Sequence, residues 1–275
     1  MPYFGLILFC LASVTWAVPT SLQLGSSRLK AEYFSSSRPH SPAVVLMHGC
    51  AGLLDSNKEL AIRYARMTSQ LQELDFAVLL LNDKAAGKKP CAISSSKKQK
   101  AEMKRRAKNL QTAISWLKKR KEIDSNRIAV VGWDSGATAT LWLLNQAKPG
   151  LRSATVFYPN CRLLLGADFR VSAPTLLLAG QRDGLAPLSS CSELSQISGQ
   201  SLFHLVSYPD AMHDFDLVLD NLESEALNLP PNHLPLEDIA DPVAAQDAWR
   251  RTYKWLSRWF DPERSMEGIP PRRLQ

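Results

Sequence analysis

Ile128-Ala-Val-Val-Gly132-Trp133-Asp134-Ser135-Gly136-Ala137 is the stretch whose reading decides the architecture. An apolar, β-rich run enters Gly-x-Asp-x-Gly, and helix-compatible residues 138–146 follow, which is the form of a sharp strand-to-helix turn, the nucleophile elbow. The tip of such a turn is held strained at the carboxyl edge of a sheet. Glycines two residues before and two after it let the strand and the helix approach closely. This spacing puts Asp134 at the tip. Ser135 at the tip would place Trp133 and Ala137 at the flanks, and an indole is too large for close packing there.

Outward from this turn, short apolar runs alternate with helical periodicity. Strands are predicted near 28–34 and at 43–47, 76–81, 127–131, 154–158, 175–179 and 201–207; helices at about 57–74, 100–121, 135–147, 188–198 and 242–260. Such alternation implies an α/β fold with a doubly wound, mostly parallel sheet. One domain over 28–260 accounts for it. Loops 82–99 and 217–241 exceed what a connection needs, as functional loops often do, and 261–275 reads as a flexible tail.

With 275 residues, net charge +7, 45% hydrophobic and 21% charged residues, the chain has the composition of a globular protein and not of a disordered one. Residues 3–18 are almost wholly apolar and lead to Thr15-Trp16-Ala17 before Val18-Pro19, so 1–17 reads as a signal peptide and 18–27 as a leader. Export to the periplasm or the exterior is expected; an uncleaved N-terminal anchor is the alternative. Cleavage would remove Cys10 and leave Cys50, Cys91, Cys161 and Cys191, an even number for which three pairings exist.

Residues 84–121 hold fourteen Lys or Arg and one acid, a local +13 that leaves the remainder at −6. Met103, Ala107, Leu110, Ile114 and Leu117 recur there at helical steps, giving an amphipathic helix with a basic outer face. An anionic surface is the partner class this charge suits. Without aromatic interleaving or a recognition motif, no nucleic acid is expected. No CxxC pair, His-rich cluster, nucleotide loop or flavin fingerprint occurs, so neither a metal nor a cofactor is expected.

Two further segments arrive in a telling order. Thr175-Leu-Leu-Leu-Ala179-Gly180-Gln-Arg-Asp183 is a buried strand running into a turn with a carboxylate, and Tyr208-Pro-Asp-Ala-Met-His213-Asp-Phe-Asp216 follows the next strand with a histidine. Nucleophile, acid, base is the chain order of the α/β-hydrolase fold. Asp183 would fix the tautomer of His213, and His213 would move the proton. If Asp134 and Asp183 converge on His213, its protonated form is favoured. Val44-Val-Leu-Met-His48-Gly49-Cys50-Ala51-Gly52 ends a strand in a glycine-containing loop. The backbone N–H of Cys50 could join that of Ser135 as an oxyanion hole, while His48 reads as a loop brace.

In these four segments the chain resembles the exported single-domain branch of the dienelactone hydrolase family, over about residues 28–260. The resemblance implies an α/β-hydrolase fold without a cap domain, no cofactor, and hydrolysis of a small ester, lactone or related substrate at Asp134, Asp183 and His213. It also suggests disulfides Cys50 with Cys91 and Cys161 with Cys191. The departure is Asp134, where the family pattern has Ser or Cys. Attack by a carboxylate on an ester carbonyl would give a reactive mixed anhydride, and its fixed charge opposes a neighbouring oxyanion. Three readings stay open: Asp134 as nucleophile toward an sp³ carbon, as in epoxide hydrolases and haloalkane dehalogenases; Asp134 as a general base on water; or a catalytically disabled fold that binds a ligand or partner.

Overall fold

Strand β3 (Ser41–Met47) shows what holds the molecule together. Ala43, Val45 and Met47 face one layer of core and Val44 and Leu46 the other, every one of them fully buried. A strand covered on both faces reads as a continuous apolar run, not an alternating one. In the computed structural model, residues 20–24, 29–83, 95–146, 150–166, 168–198, 201–217 and 240–261 are described.

The other strands are β1 (Thr20–Leu24), β2 (Leu29–Phe34), β4 (Ala77–Asn82), β5 (Ile123–Trp133), β6 (Ser153–Phe157), β7 (Thr175–Gly180) and β8 (Phe203–Tyr208). They form one eight-stranded sheet in the order β1-β2-β4-β3-β5-β6-β7-β8. From β4 to β8 every pairing is parallel; β1 and β2 add an antiparallel edge. Helices α2 (Ser96–Leu117), α3 (Asp134–Gln146) and α4 (Leu188–Ser198) cover one face, and α1 (Ile62–Glu73) and α5 (Pro242–Phe260) the other. This is the doubly wound arrangement expected, without a cap: a 3₁₀ turn, Cys161–Leu163, is the one regular element between β6 and β7 among the described residues.

Boundaries differ from the sequence reading at four elements. α1 begins at Ile62, five residues later than expected, because Leu54 and Leu60 pair in a bridge before it. The leader 18–27 contains strand β1, which Thr-Ser-Leu-Gln-Leu disguised because it is short and half polar. β5 begins at Ile123, whose pairing with Ser41 carries the strand through polar Asp124, Ser125 and Asn126. α2 starts four residues early and stops at Leu117, so Lys118 to Lys121 lie beyond its last apolar contact. The expected signal peptide and the tail beyond Asp261 fall outside the described residues.

The centre of the sheet is where α3 and β3 nearly touch. A Cβ on Gly136 would lie 2.5 Å from the carbonyl oxygens of both Met47 and His48, and one on Gly132 would lie 3.0 Å from the backbone of Ala137. Both contacts are to backbone, which cannot swing aside. Gly136→Ala is therefore expected to destabilise the protein by about 1–3 kcal/mol, as overpacking of a filled core does. Equilibrium urea unfolding measures this, and a loss within error of zero would contradict the close approach.

Candidate active site

Asp134 stands at the junction of β5 and α3 with φ 47°, a left-handed conformation that costs a non-glycine residue energy and that only a tightly packed surround maintains. Its two carboxylate oxygens have different surroundings. Oδ2 accepts the backbone N–H of Cys50 at 2.7 Å. Oδ1 lies 3.9 Å from Nε2 of His213. Gly49 makes the first contact possible, since a Cβ there would approach Oδ2 to 3.3 Å. Gly49 itself donates its N–H to the Tyr64 hydroxyl at 3.2 Å, which pins the loop to α1.

Asp183, fully buried beyond the end of β7, accepts the N–H groups of Leu185 and Ala186 on Oδ1, each at 2.8 Å. Its Oδ2 is 2.8 Å from Nδ1 of His213. That bond places the Nδ1 proton toward Asp183 and turns Nε2 toward Asp134. The approach depends on Gly180, where a Cβ would come within 2.1 Å of the Ala211 carbonyl. Asp134, Asp183 and His213, distant in sequence, are thus brought together, and Cys50 with them. Ser135 turns its side chain away: its hydroxyl accepts from Nη1 of Arg106 at 2.7 Å.

Sequence reasoning missed a buried network behind His213. Arg63 on α1 pairs with Asp214 at 3.0 Å and Asp216 at 3.4 Å. The Tyr158 hydroxyl donates to Asp216 at 2.6 Å and reaches Asp214 at 3.1 Å, and the indole N–H of Trp133 donates to Asp216 at 2.8 Å. Tyr158 also sets its ring 4.6 Å from that of His213. The available signal was in the histidine segment, where carboxylates follow His213 at the first and third positions; nothing local marked Arg63 as their partner.

Asp214 of this network joins Asp183 in setting the charge of His213. Burial lowers its pKa, but the hydrogen bond to Asp183 and the charges of Asp214, Asp183 and Asp134 outweigh that and raise it to about 9. Asp214 acts more strongly here than Asp134, which alone with Asp183 had been expected from the sequence. Asp214 is itself pushed up by burial, and the charges of Arg63 and His213 hold its carboxyl below the usual value.

A second buried cluster braces the other side of the elbow. Arg106 donates to Asp83 at 2.8 Å and to the His48 carbonyl at 2.6 Å, besides Ser135. The helical pattern had assigned the cations of this segment to an outer face, yet Arg106 is only 2% exposed. Burial pushes the Asp83 carboxyl up, and the charges of Arg106 and His48 bring it below its ordinary value. His48 is buried, with Nδ1 2.6 Å from the Gly49 carbonyl oxygen and Nε2 3.3 Å from Asp83 Oδ1.

Cys161 and Cys191 are joined by a disulfide that ties the 3₁₀ turn to α4. Cys50 is disulfide-bonded too, and the Cys91 assigned to it by resemblance lies outside the described residues. Among the described residues, no three His, Cys, Asp or Glu side chains are grouped to hold a metal ion.

The sequence profile of the dienelactone hydrolase family matches residues 29–260. No match was found among curated proteins. Of solved structures, a promiscuous dienelactone hydrolase-like phosphotriesterase from metagenomic libraries superposes with a TM-score of 0.69 at 18% identity, covering 89% of this chain and 99% of its own. A Klebsiella pneumoniae protein assigned to the dienelactone hydrolases gives 0.65 at 18% identity, covering 88% and 98%. Esterase 2 of Thermogutta terrifontis, phosphoramylated by tabun, gives 0.63 at 11% identity, covering 93% and 97%. At such identities the likeness shows the fold.

The proton on His213 has a consequence for stability. A histidine whose folded pKa lies above its ordinary 6.5 contributes stability that is complete below pH 6.5 and is lost as pH rises through about 9. The contribution is about 3 kcal/mol. An NMR titration of His213 should show Asp214→Asn lowering its pKa more than Asp134→Asn does. Equal or reversed effects would contradict the placement of Arg63, Asp214 and His213.

Proposed function

This chain belongs to the dienelactone hydrolase family, and from that premise we propose that it is a hydrolase whose nucleophile is the Asp134 carboxylate, acting on an sp³ carbon of a small substrate. The observation that carries this is the division of labour between the two carboxylate oxygens. Oδ2 is already held by the Cys50 N–H, and Oδ1 is the oxygen directed to the His213 side. For an ester carbonyl the same arrangement is unfavourable, because the carboxylate's own charge occupies the donor that an incoming oxyanion would need.

In the first step a lone pair of Oδ1 forms a C–O bond to the substrate carbon while the bond to the leaving group breaks and takes its electron pair. Groups that depart as stable anions, such as a halide or the carboxylate released when a strained lactone opens at its alkyl carbon, need no acid. In the second step His213, neutral, takes a proton from water, and the hydroxide adds to Cγ of the aspartyl ester. The negative charge then develops on Oδ2, where the Cys50 N–H stands at 2.7 Å. Collapse breaks the Cγ–Oδ1 bond, and the departing alkoxide takes the proton back from His213. Alkylation removes the charge of Asp134, one of the groups that hold the proton on His213, so the first step prepares the base for the second. Turnover therefore rises with pH, along a limb governed by His213 at or below about 9.

Single turnover in ¹⁸O-water tests this directly, with a panel of small alkyl halides and strained lactones. The heavy oxygen should appear in the peptide containing Asp134, with unlabelled oxygen in the first product. Label in the first product instead would mean that Asp134 acts as a base on water. No turnover of the panel, together with ester cleavage gained by Asp134→Ser, would replace the proposal with a disabled, ligand-binding scaffold.

A further inference from the structure

Seven cations lie on α2, and the structure sorts them. Arg106 is buried against Asp83, and Arg105 pairs with Glu102. Lys97, Lys98, Lys100, Lys104 and Lys108 are all exposed, and none of them pairs with a described acid. Lys97, Lys100, Lys104 and Lys108 follow one another at helical steps of three and four, a single row about 16 Å long. The first three line an open depression of about 510 Å³, and Lys104 sits over the Trp142 ring at 5.1 Å. Exposed Lys119 and Lys121 continue the charge past the end of the helix.

The row begins at the carboxyl edge of the sheet, because Arg105 and Arg106, which follow Lys104 directly, reach the Asp83 carbonyl and carboxylate just past the end of β4.

We propose that this lysine face of α2 docks on an anionic lipid surface. Lysines on flexible stems are point charges that suit a diffuse layer of headgroups, and arginine's planar fork, which suits individual phosphates or bases, is withheld from the row: both arginines of α2 are engaged within the protein. None of Lys97, Lys100, Lys104 and Lys108 is among the groups that meet Asp134, Asp183 or His213, so the proposal stands apart from the catalytic one.

The full chain should cosediment with vesicles of phosphatidylcholine containing phosphatidylglycerol more strongly than with phosphatidylcholine alone, and high salt should abolish the difference. Changing Lys97, Lys100, Lys104 and Lys108 together to Gln, which leaves the packed face of α2 intact, should weaken binding to the anionic vesicles by roughly 10²–10³-fold. Circular dichroism checks that this variant is folded. Equal binding to both vesicle types, or a variant that binds like the natural chain, would assign membrane affinity to residues 3–18 alone and overturn the proposal. Tight binding to heparin without binding to anionic vesicles would overturn it in favour of a soluble polyanion.

Discussion

A carboxylate held at a strained turn, with one of its oxygens already hydrogen-bonded to the backbone, is the constraint around which this molecule is organised. Asp134 adopts φ 47°, a conformation that the surrounding structure must enforce. Two glycines make the enforcement possible by bringing β3, β5 and α3 to within contact distance. The close approach also delivers Cys50 to Oδ2. Had the turn been looser, the carboxylate could rotate and neither oxygen would have a fixed role.

Around that point the fold places two buried charge clusters. On one side Arg106 joins Asp83, the His48 carbonyl and Ser135. It fastens α2 to the loop that carries Cys50 and to the first turn of α3. On the other side Arg63 joins Asp214 and Asp216, and Tyr158, Trp133 and Trp249 donate to Asp216. Buried pairs of this kind are poor sources of net stability, because desolvation offsets the attraction, but removing one partner strands the other. Their effect here is geometric and electrostatic. One cluster fixes the elbow; the other, through Asp214, adds to the Asp183 hydrogen bond in favouring the proton on His213.

Much of this was legible in the sequence, and the reasons are particular. The parallel strands announced themselves because a strand buried on both faces is apolar throughout, as in Ala43 to Met47 and Thr175 to Ala179. Asp134 was legible from the glycine spacing, and Asp183 and His213 from their place after successive strands. Strand β1 was not, since an antiparallel edge strand needs no apolar run. Arg106 was hidden inside a basic segment where its neighbours really are exposed. Arg63 and Asp214 are 151 residues apart, and no local pattern records a pairing of that kind. The charge of His213 was anticipated, but its main Coulombic source was not.

The central claim is that Oδ1 of Asp134 forms a bond to substrate carbon and that His213 releases it. Replacing His213 with Gln should leave the first step intact and block the second, so intact-protein mass spectrometry after exposure to an alkyl halide or strained lactone should show a stable adduct. Fragmentation should place that adduct on Asp134. Absence of any adduct while the natural chain turns the same compound over, or an adduct on another residue, would contradict the account.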